Sequence, residues 1–107
     1  MDMFLSYTSP TESTTNLPTG ATTYNLTIIY GQTVIPSTFT AVLNNVNISS
    51  LFNPVAGTSE TVTLSGLRMG SNGRNVLDLS IDGYVFNNNS SKPRVTNDSD
   101  KLTFIVR

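Results

Sequence analysis

Apolar and polar residues alternate with a period of two along several stretches of this chain. The clearest stretches are residues 24–30, 38–43, 61–64, 76–82 and 102–107. Because successive side chains of a β-strand point to opposite faces, this alternation predicts strands that are buried on one face only. No stretch carries apolar residues at helical spacing. The pattern therefore predicts an all-β domain.

The same alternation predicts the core. One face of each predicted strand carries mainly Leu, Ile, Val or Phe, and we expect these side chains to meet between two sheets. The predicted core consists of Leu26, Ile28, Phe39, Leu43, Val62, Leu64, Leu77, Leu79, Ile81, Leu102, Phe104 and Val106.

Gly, Pro and Asn residues separate the predicted strands. The pair Asn44-Asn45 directly follows residues 38–43, and Asn tolerates the left-handed backbone conformation that tight hairpins require. We expect this pair to close a hairpin or a corner of the sheet. Leu51 and Phe52 follow shortly afterwards, and they are predicted to cover one end of the core.

Two segments lack this alternation. Residues 8–22, TSPTESTTNLPTGAT, contain too few apolar side chains to offset the entropy of ordering them. Residues 1–22 are therefore predicted to be a flexible N-terminal segment or linker, and residues 23–107 the folded domain. Residues 84–100, YVFNNNSSKPRVTNDSD, are predicted to be a long polar loop.

Composition and charge exclude several classes of function. Charged residues make up 12% of the chain and the formal net charge is -1. Because there is no basic block, nucleic acid and anionic membrane surfaces are not predicted partners. No stretch approaches the roughly 20 apolar residues of a membrane span, so no membrane insertion is predicted.

The absence of Cys and His narrows the chemistry further. Without them the chain has no thiol nucleophile, thiolate metal site, disulfide or imidazole base. We therefore predict no enzymatic activity and no cofactor. Low charge with abundant Thr, Ser and Asn favours a secreted or cell-surface protein. The MDMFLSY start lacks the positive region of a signal peptide, so if the protein is exported we expect this chain to be a fragment of a longer one.

Carboxylates are the remaining candidates for chemistry. Asp78 and Asp82 share one face of a predicted strand, and Asp98 and Asp100 stand in NDSD before the last strand. A glycosidase needs two carboxyl groups across one cleft, but nothing in the pattern brings these acids together. A calcium site is the more specific alternative. Calcium takes about six to eight oxygen ligands, and Asp82, Asp98 and Asp100 would supply part of that set. The preferred interpretation is solvated acids, and no metal site is predicted.

Two further motifs carry weak alternatives. Residues 66–74, GLRMGSNGR, are Gly-rich, but no helix pattern follows as a phosphate loop requires, so a hairpin connection is predicted. Tyr84 and Phe86 form the one plausible aromatic platform for a sugar, although we expect them to fold back over the end of the domain. Sequons that matter only in a eukaryotic secretory host are treated as incidental, and they lie at Asn25, Asn47, Asn88, Asn89 and Asn97.

Two motifs resemble those of bacterial immunoglobulin-like domains found in surface and secreted proteins. Many of these domains have a corner of the form Leu-Asn-Gly, then Asp, Ile or Val, and Thr or Ser, and residues 43–49 are LNNVNIS. Asn45 replaces the usual Gly, and Asn47 the usual Asp. A later G-x-N turn introduces an apolar strand that ends in Asp-Gly, which matches residues 73–83, GRNVLDLSIDG.

The resemblance covers roughly residues 23–107, and the Cys, Trp and Cys of antibody-type domains are absent. It implies an immunoglobulin-like β-sandwich of two antiparallel sheets with about seven strands. It also implies a non-enzymatic structural or spacer module of a larger bacterial cell-surface or secreted protein. We expect a monomer that is joined to neighbouring domains of that protein. The alternative is an adhesive or carbohydrate-contacting module that uses residues 84–100 to bind a surface protein or a carbohydrate.

Overall fold

Two β-sheets packed through a shared core make up the protein in our computed structural model, which describes residues 4–86 and 92–107. The all-β prediction is confirmed. The strands are β1 (Leu5–Ser9), β2 (Thr14–Asn16), β3 (Tyr24–Tyr30), β4 (Val34–Leu43), β5 (Val46–Asn47), β6 (Ser59–Leu64), β7 (Arg74–Val85) and β8 (Arg94–Ile105). Short 3-10 turns lie at Ser49–Leu51 and Gly70–Asn72.

The strands divide into a three-stranded sheet with order β1-β3-β6 and a five-stranded sheet with order β2-β8-β7-β4-β5. Neighbouring strands are antiparallel, except that β2 runs parallel to β8. The longest pairing joins β7 to β8, in continuous register from Arg74 opposite Ile105 to Val85 opposite Arg94. The hairpin of β7 and β8 therefore provides the longest paired strands of the five-stranded sheet.

The predicted core is confirmed: all the residues assigned to it are buried. Each strand places alternate side chains between the sheets, and full burial of one Leu, Ile or Phe stabilises the fold by about 1.5–3 kcal/mol. Aromatic packing adds contacts at one end, where the Phe39 ring lies 5.0 Å from Phe52 and 5.8 Å from Tyr30. Further buried apolar residues are Phe4, Leu5, Tyr30, Val34, Ala41, Phe52 and Leu67.

Asn44 and Asn45 close a two-residue hairpin between β4 and β5, as predicted. Both have positive φ, 50° and 68°, the combination that matches the twist of the flanking strands. Leu43 then lies opposite Val46. Of the two residues expected to cover the core's end, Phe52 is buried but Leu51 is 52% exposed.

The N-terminal segment differs from the predicted linker. The strand β1 pairs with β3 in one sheet, and β2 pairs with β8 in the other, so the sandwich begins before residue 23. Phe4 and Leu5 are buried in the core. The strand β2 carries little apolar surface, and backbone hydrogen bonds attach it: Thr103 N donates to Ser13 O over 2.7 Å and Leu17 N to Ile105 O over 2.8 Å. Those bonds depend on a distant strand, which composition alone does not reveal.

The predicted loop at residues 84–100 is largely strand. Tyr84 and Val85 end β7, residues 94–100 begin β8, and residues 87–91 lie outside the described residues. Polar residues conceal this strand in the sequence, because Asp98 and Asp100 take positions that apolar residues occupy elsewhere. The Gly-rich residues 66–74 also differ from the predicted hairpin connection. They join β6 to β7, which belong to different sheets.

The molecule is elongated, with extents of 53 × 23 × 21 Å. Phe4 lies beside the end of β7, where its ring would lie 2.7 Å from a Cβ added at Gly83. The other end of β7 lies next to the C-terminus, because Val106 N donates to Gly73 O over 2.9 Å. The two ends of the described chain therefore lie at opposite ends of the sandwich.

Candidate functional site

The acids of the calcium alternative do not converge. Residues directly opposite each other in a sheet share a face, and Asp82 lies opposite Asn97, whereas Asp98 lies opposite the buried Ile81. Asp98 and Asp100 thus point towards the three-stranded sheet, and Asp82 points away from it. Among the residues described, no group of three or more His, Cys, Asp or Glu residues is arranged to hold a metal ion.

Asp98 has a structural role that sequence analysis missed. Its side chain is buried, and Oδ2 accepts hydrogen bonds from the backbone N–H groups of Phe4 at 2.8 Å and Leu5 at 3.0 Å. Hydrogen bonds to a charged acceptor are about twice as strong as neutral ones. The carboxylate therefore attaches the start of β1 to β8 across the two sheets. The sequence does not predict this role, because the N–H groups that Asp98 binds come close to it only when β1 takes its place in the fold.

Asp100 lines a cleft where the chain crosses between the sheets. Residues 10–13 make this crossing, and Asp100 Oδ2 accepts a hydrogen bond from Tyr7 Oη at 2.6 Å. The cleft has a volume of about 350 Å³ and also contacts Glu12 and Lys101. The cleft is open and mainly polar, and it lies beside the segment that connects β1 to β2.

Asp82 and Asp78 lie on the outer face of the five-stranded sheet. The Asn97 amide donates to Asp82 Oδ1 over 2.9 Å and to Ser80 Oγ over 2.8 Å. Asp78 lies 3.9 Å from Lys101, and both side chains are mostly exposed. Such exposed ion pairs contribute little to stability. Asp78 and Asp82 therefore belong to a hydrated polar face, as expected.

The far end of the β7–β8 hairpin carries an exposed apolar group. Tyr84 lies opposite Val95, so the two share the outer face. Their exposed fractions are 40% and 52%, and that of Phe86 is 67%. We expected Tyr84 and Phe86 to fold back over the end of the sandwich, but both side chains are exposed. They are available for stacking on a flat apolar surface, including that of a sugar ring.

Asn75, the Asn of the G-x-N turn, forms the most connected buried polar group in the described chain, a role that the motif alone did not predict. Its Nδ2 donates to the carbonyl oxygens of Arg68, Gly73 and Phe104 at 3.1, 3.1 and 3.2 Å. Its Oδ1 accepts from Asn44 Nδ2 at 2.9 Å and from Arg68 N at 2.8 Å. The amide thus links the β6–β7 connection to the β4–β5 turn and to β8 at the C-terminal end of the sandwich.

Tyr30 and Glu60 form a second polar contact inside the three-stranded sheet. The Tyr30 hydroxyl donates to Glu60 Oε2 over 2.5 Å, and the same oxygen accepts from Asn53 N at 2.8 Å. Burial, followed by the hydrogen bond to Glu60 and its charge, raises the pKa of Tyr30 far above its usual value. The phenol is therefore a neutral donor and not a catalytic acid or base.

No protein-family model matches this chain, and comparisons with curated proteins and with solved structures found no match. Across residues 4–86 and 92–107, no helix is long and apolar enough to cross a membrane.

Proposed function

We propose that this chain is an immunoglobulin-like domain that serves as a non-enzymatic spacer in a larger bacterial cell-surface or secreted protein. The strand order supports the fold assignment. Immunoglobulin domains place their first, second, fourth and fifth strands in one sheet, and their third, sixth and seventh in the other; among the described residues no strand takes the fourth place. Here β3 and β6 take the second and fifth places, β4, β7 and β8 take the third, sixth and seventh, and the first strand is divided into β1 and β2.

The placement of the chain ends carries the spacer proposal. Phe4 lies near Gly83 and Arg107 lies beyond Gly73, so the two ends are separated by roughly the length of β7 between those glycines, about 30 Å at about 3.3 Å per residue. Domains attached at either end would be held apart by a stiff body. Low charge and abundant Thr, Ser and Asn support the extracellular setting.

The strands β2 and β8 are also arranged to resist separation of the two ends. Because β2 is parallel to β8, tension that passes beyond β1 pulls β2 by its N-terminal end and β8 by its C-terminal end. The strands must then slide past each other, and their hydrogen bonds bear the load together. Strands pulled apart from one shared end would instead lose these bonds one at a time.

Single-molecule stretching tests this proposal. The chain has no Cys, so a Thr19→Cys variant offers a unique attachment point just beyond β2. We expect stretching through the two termini to need a clearly higher force than stretching through position 19 and the C-terminus, because the second geometry opens β2 and β8 from one end. Equal forces in the two geometries would contradict a load-bearing spacer.

A matched pair of variants tests the contribution of the β2–β8 bonds. Leu17→Pro removes the N–H that donates to Ile105 O, whereas Leu17→Ala shortens the side chain and keeps that donor. We expect Leu17→Pro to lower the unfolding force between the termini well below that of Leu17→Ala. A similar force for the two variants would place the resistance elsewhere.

The exposed group of Tyr84, Phe86 and Val95 favours a second candidate, an adhesive or carbohydrate-contacting module. Titration with soluble oligosaccharides, followed by NMR, tests it. A binding role predicts shifts that concentrate on these residues and disappear in Phe86→Ala but not in Leu51→Ala, a control that is also exposed. Uniformly small shifts would leave the spacer proposal as the better account.

A further inference from the structure

The strand β6 forms an open edge of the three-stranded sheet. In the described chain it pairs with β3 alone, in unbroken register from Ser59 opposite Ile29 to Leu64 opposite Tyr24. The other edge strand of this sheet, β1, has an irregularity between Tyr7 and Ser9. Bulges, Pro, Lys and inward-pointing charges are the usual means of preventing edge pairing. SETVTL, the sequence of β6, has no Pro, Lys or bulge, and its one inward-pointing charge, Glu60, is bound to Tyr30 and Asn53. The outer face of the edge is uncharged.

The hydrogen-bond pattern shows which backbone groups this edge presents. Tyr30 N donates to Thr58 O over 2.8 Å, so residues 30 and 58 form a hydrogen-bonded pair. In an antiparallel ladder such pairs recur at every second residue, so the even-numbered residues of β6 bond to β3. The N–H and C=O groups of Ser59, Thr61 and Thr63 therefore point away from the sheet, and all three side chains are exposed.

We propose that this edge binds a second copy of the same chain, antiparallel, with Thr61 opposite Thr61 of the other copy. Ser59 then lies opposite Thr63 in both directions, and the backbones exchange about six hydrogen bonds. This register uses every outward-facing group, because the three residues are spaced symmetrically about Thr61. Any extended strand offers the same backbone spacing, so the side chains decide the partner, and a second copy places hydroxyl groups opposite hydroxyl groups on the outer face.

Side chains agree with this register. Hydroxyl groups lie opposite hydroxyl groups on the outer face, and Thr–Thr and Thr–Ser cross-strand pairs are favourable. They extend a ladder that already exists within the chain, where Thr61 Oγ1 lies 2.9 Å from Thr27 Oγ1. On the inner face Glu60 lies opposite Val62 of the other copy, so no like charges are directly opposed. Glu60 also remains bound to Tyr30.

The contact is small. Each copy contributes a strand of 6 residues, which covers far less than the about 1,200 Å² of a stable interface. We therefore expect a weak dimer that forms at high concentration and a monomer at low concentration. Antiparallel pairing also directs the long axes of the two copies in opposite directions. The dimer would form through the β6 edge alone, whether or not the chain serves as a spacer.

Disulfide cross-linking tests the register. Paired Thr61 residues would have Cα atoms about 5.5 Å apart, within the about 4.4–6.8 Å that a disulfide spans. The chain has no Cys of its own, so Thr61→Cys provides a single thiol. Thr63→Cys is the control, on the same face of the same strand, but with its two thiols separated by about 13 Å in the dimer.

Under mild oxidation at high concentration we expect Thr61→Cys to form the covalent dimer about tenfold faster than Thr63→Cys, because pairing raises the effective thiol concentration. Equal rates would overturn the proposed register.

Amide exchange gives a second test, and because it uses the unmodified protein, no substitution can disturb the fold. In dilute solution we expect the amides of Ser59, Thr61 and Thr63 to exchange freely while those of Glu60 and Val62 are protected. Raising the protein concentration should slow exchange at the three odd-numbered positions only. Exchange at these positions that is independent of concentration up to the millimolar range would refute self-association through β6.

Discussion

The amide of Asn75 is fully buried, and both of its polar atoms are bonded to the protein. Its two ends cannot be exchanged, because Nδ2 faces three carbonyl oxygens and Oδ1 faces two N–H donors. An amide satisfies this arrangement and a carboxylate does not. The residue therefore determines how the connection after β6 lies against β4 and β8.

Asn75→Asp is the sharpest test of this site, because it replaces one NH₂ group by oxygen without changing the shape. We expect the free energy of unfolding to fall by about 3 kcal/mol or more, since a buried charge then faces the carbonyl oxygens of Arg68, Gly73 and Phe104. Urea denaturation measures the loss. The exposed Asn72→Asp is the control and should stay within about 0.5 kcal/mol. Similar values for both variants would mean that the amide contributes only shape.

Tyr30 makes stability depend on alkaline pH. Its pKa is raised in the folded protein, whereas the unfolded phenol ionises near its usual value of about 10. The contribution of Tyr30 is therefore complete below pH of about 10 and declines as pH rises further, by up to about 1.4 kcal/mol per pH unit. Tyr30→Phe should flatten this decline, as followed by denaturation between neutral and alkaline pH. Tyr84→Phe, at the exposed hairpin end, should leave the decline unchanged, and an identical slope in both variants would contradict the assignment.

At the scale of elements, β1 is attached to both sheets, by its ladder with β3 and by the side chain of Asp98 on β8. We expect Asp98→Ala to lower the free energy of unfolding by about 1–3 kcal/mol, because two buried N–H donors lose their acceptor. Amide exchange in β1 should quicken as well. Asp78→Ala, on the exposed face of the same sheet, is the control, with an expected change below about 0.5 kcal/mol. Unchanged exchange in β1 would show that its ladder alone attaches it.

The strands differ in how far the sequence predicts them. The strands β3, β4, β6 and β7 carry their own alternation, and so does the second half of β8, so the buried positions Leu26, Leu79 and Phe104 were predictable. The strand β2 has no such pattern, because backbone hydrogen bonds to β8 attach it. The inner positions Asp98 and Asp100 are polar because they bond to Phe4, Leu5 and Tyr7. Those partners are far away in sequence, so no local pattern predicts the contacts.

At the scale of the whole molecule, the positions of the acids predict how the protein responds to metal. Asp82 lies on the opposite face of the five-stranded sheet from Asp98 and Asp100. We therefore expect the melting temperature to be the same in EDTA and in millimolar calcium. A rise of more than about 5 °C with calcium would contradict this, since a ligand at a hundred times its dissociation constant stabilises by about 2.7 kcal/mol.

The parallel pairing of β2 with β8 has a consequence for synthesis. Thr14 is synthesised long before Thr103, its partner in the sheet. The strand β7 likewise lacks its β8 partner along its whole length until β8 has been made. A growing chain can form the β4–β5 hairpin early, but the five-stranded sheet stays open until β8, residues 94–105, leaves the ribosome. Because non-local pairing of this kind folds slowly, the protein must pass through a period in which its apolar strand faces are exposed to neighbouring chains.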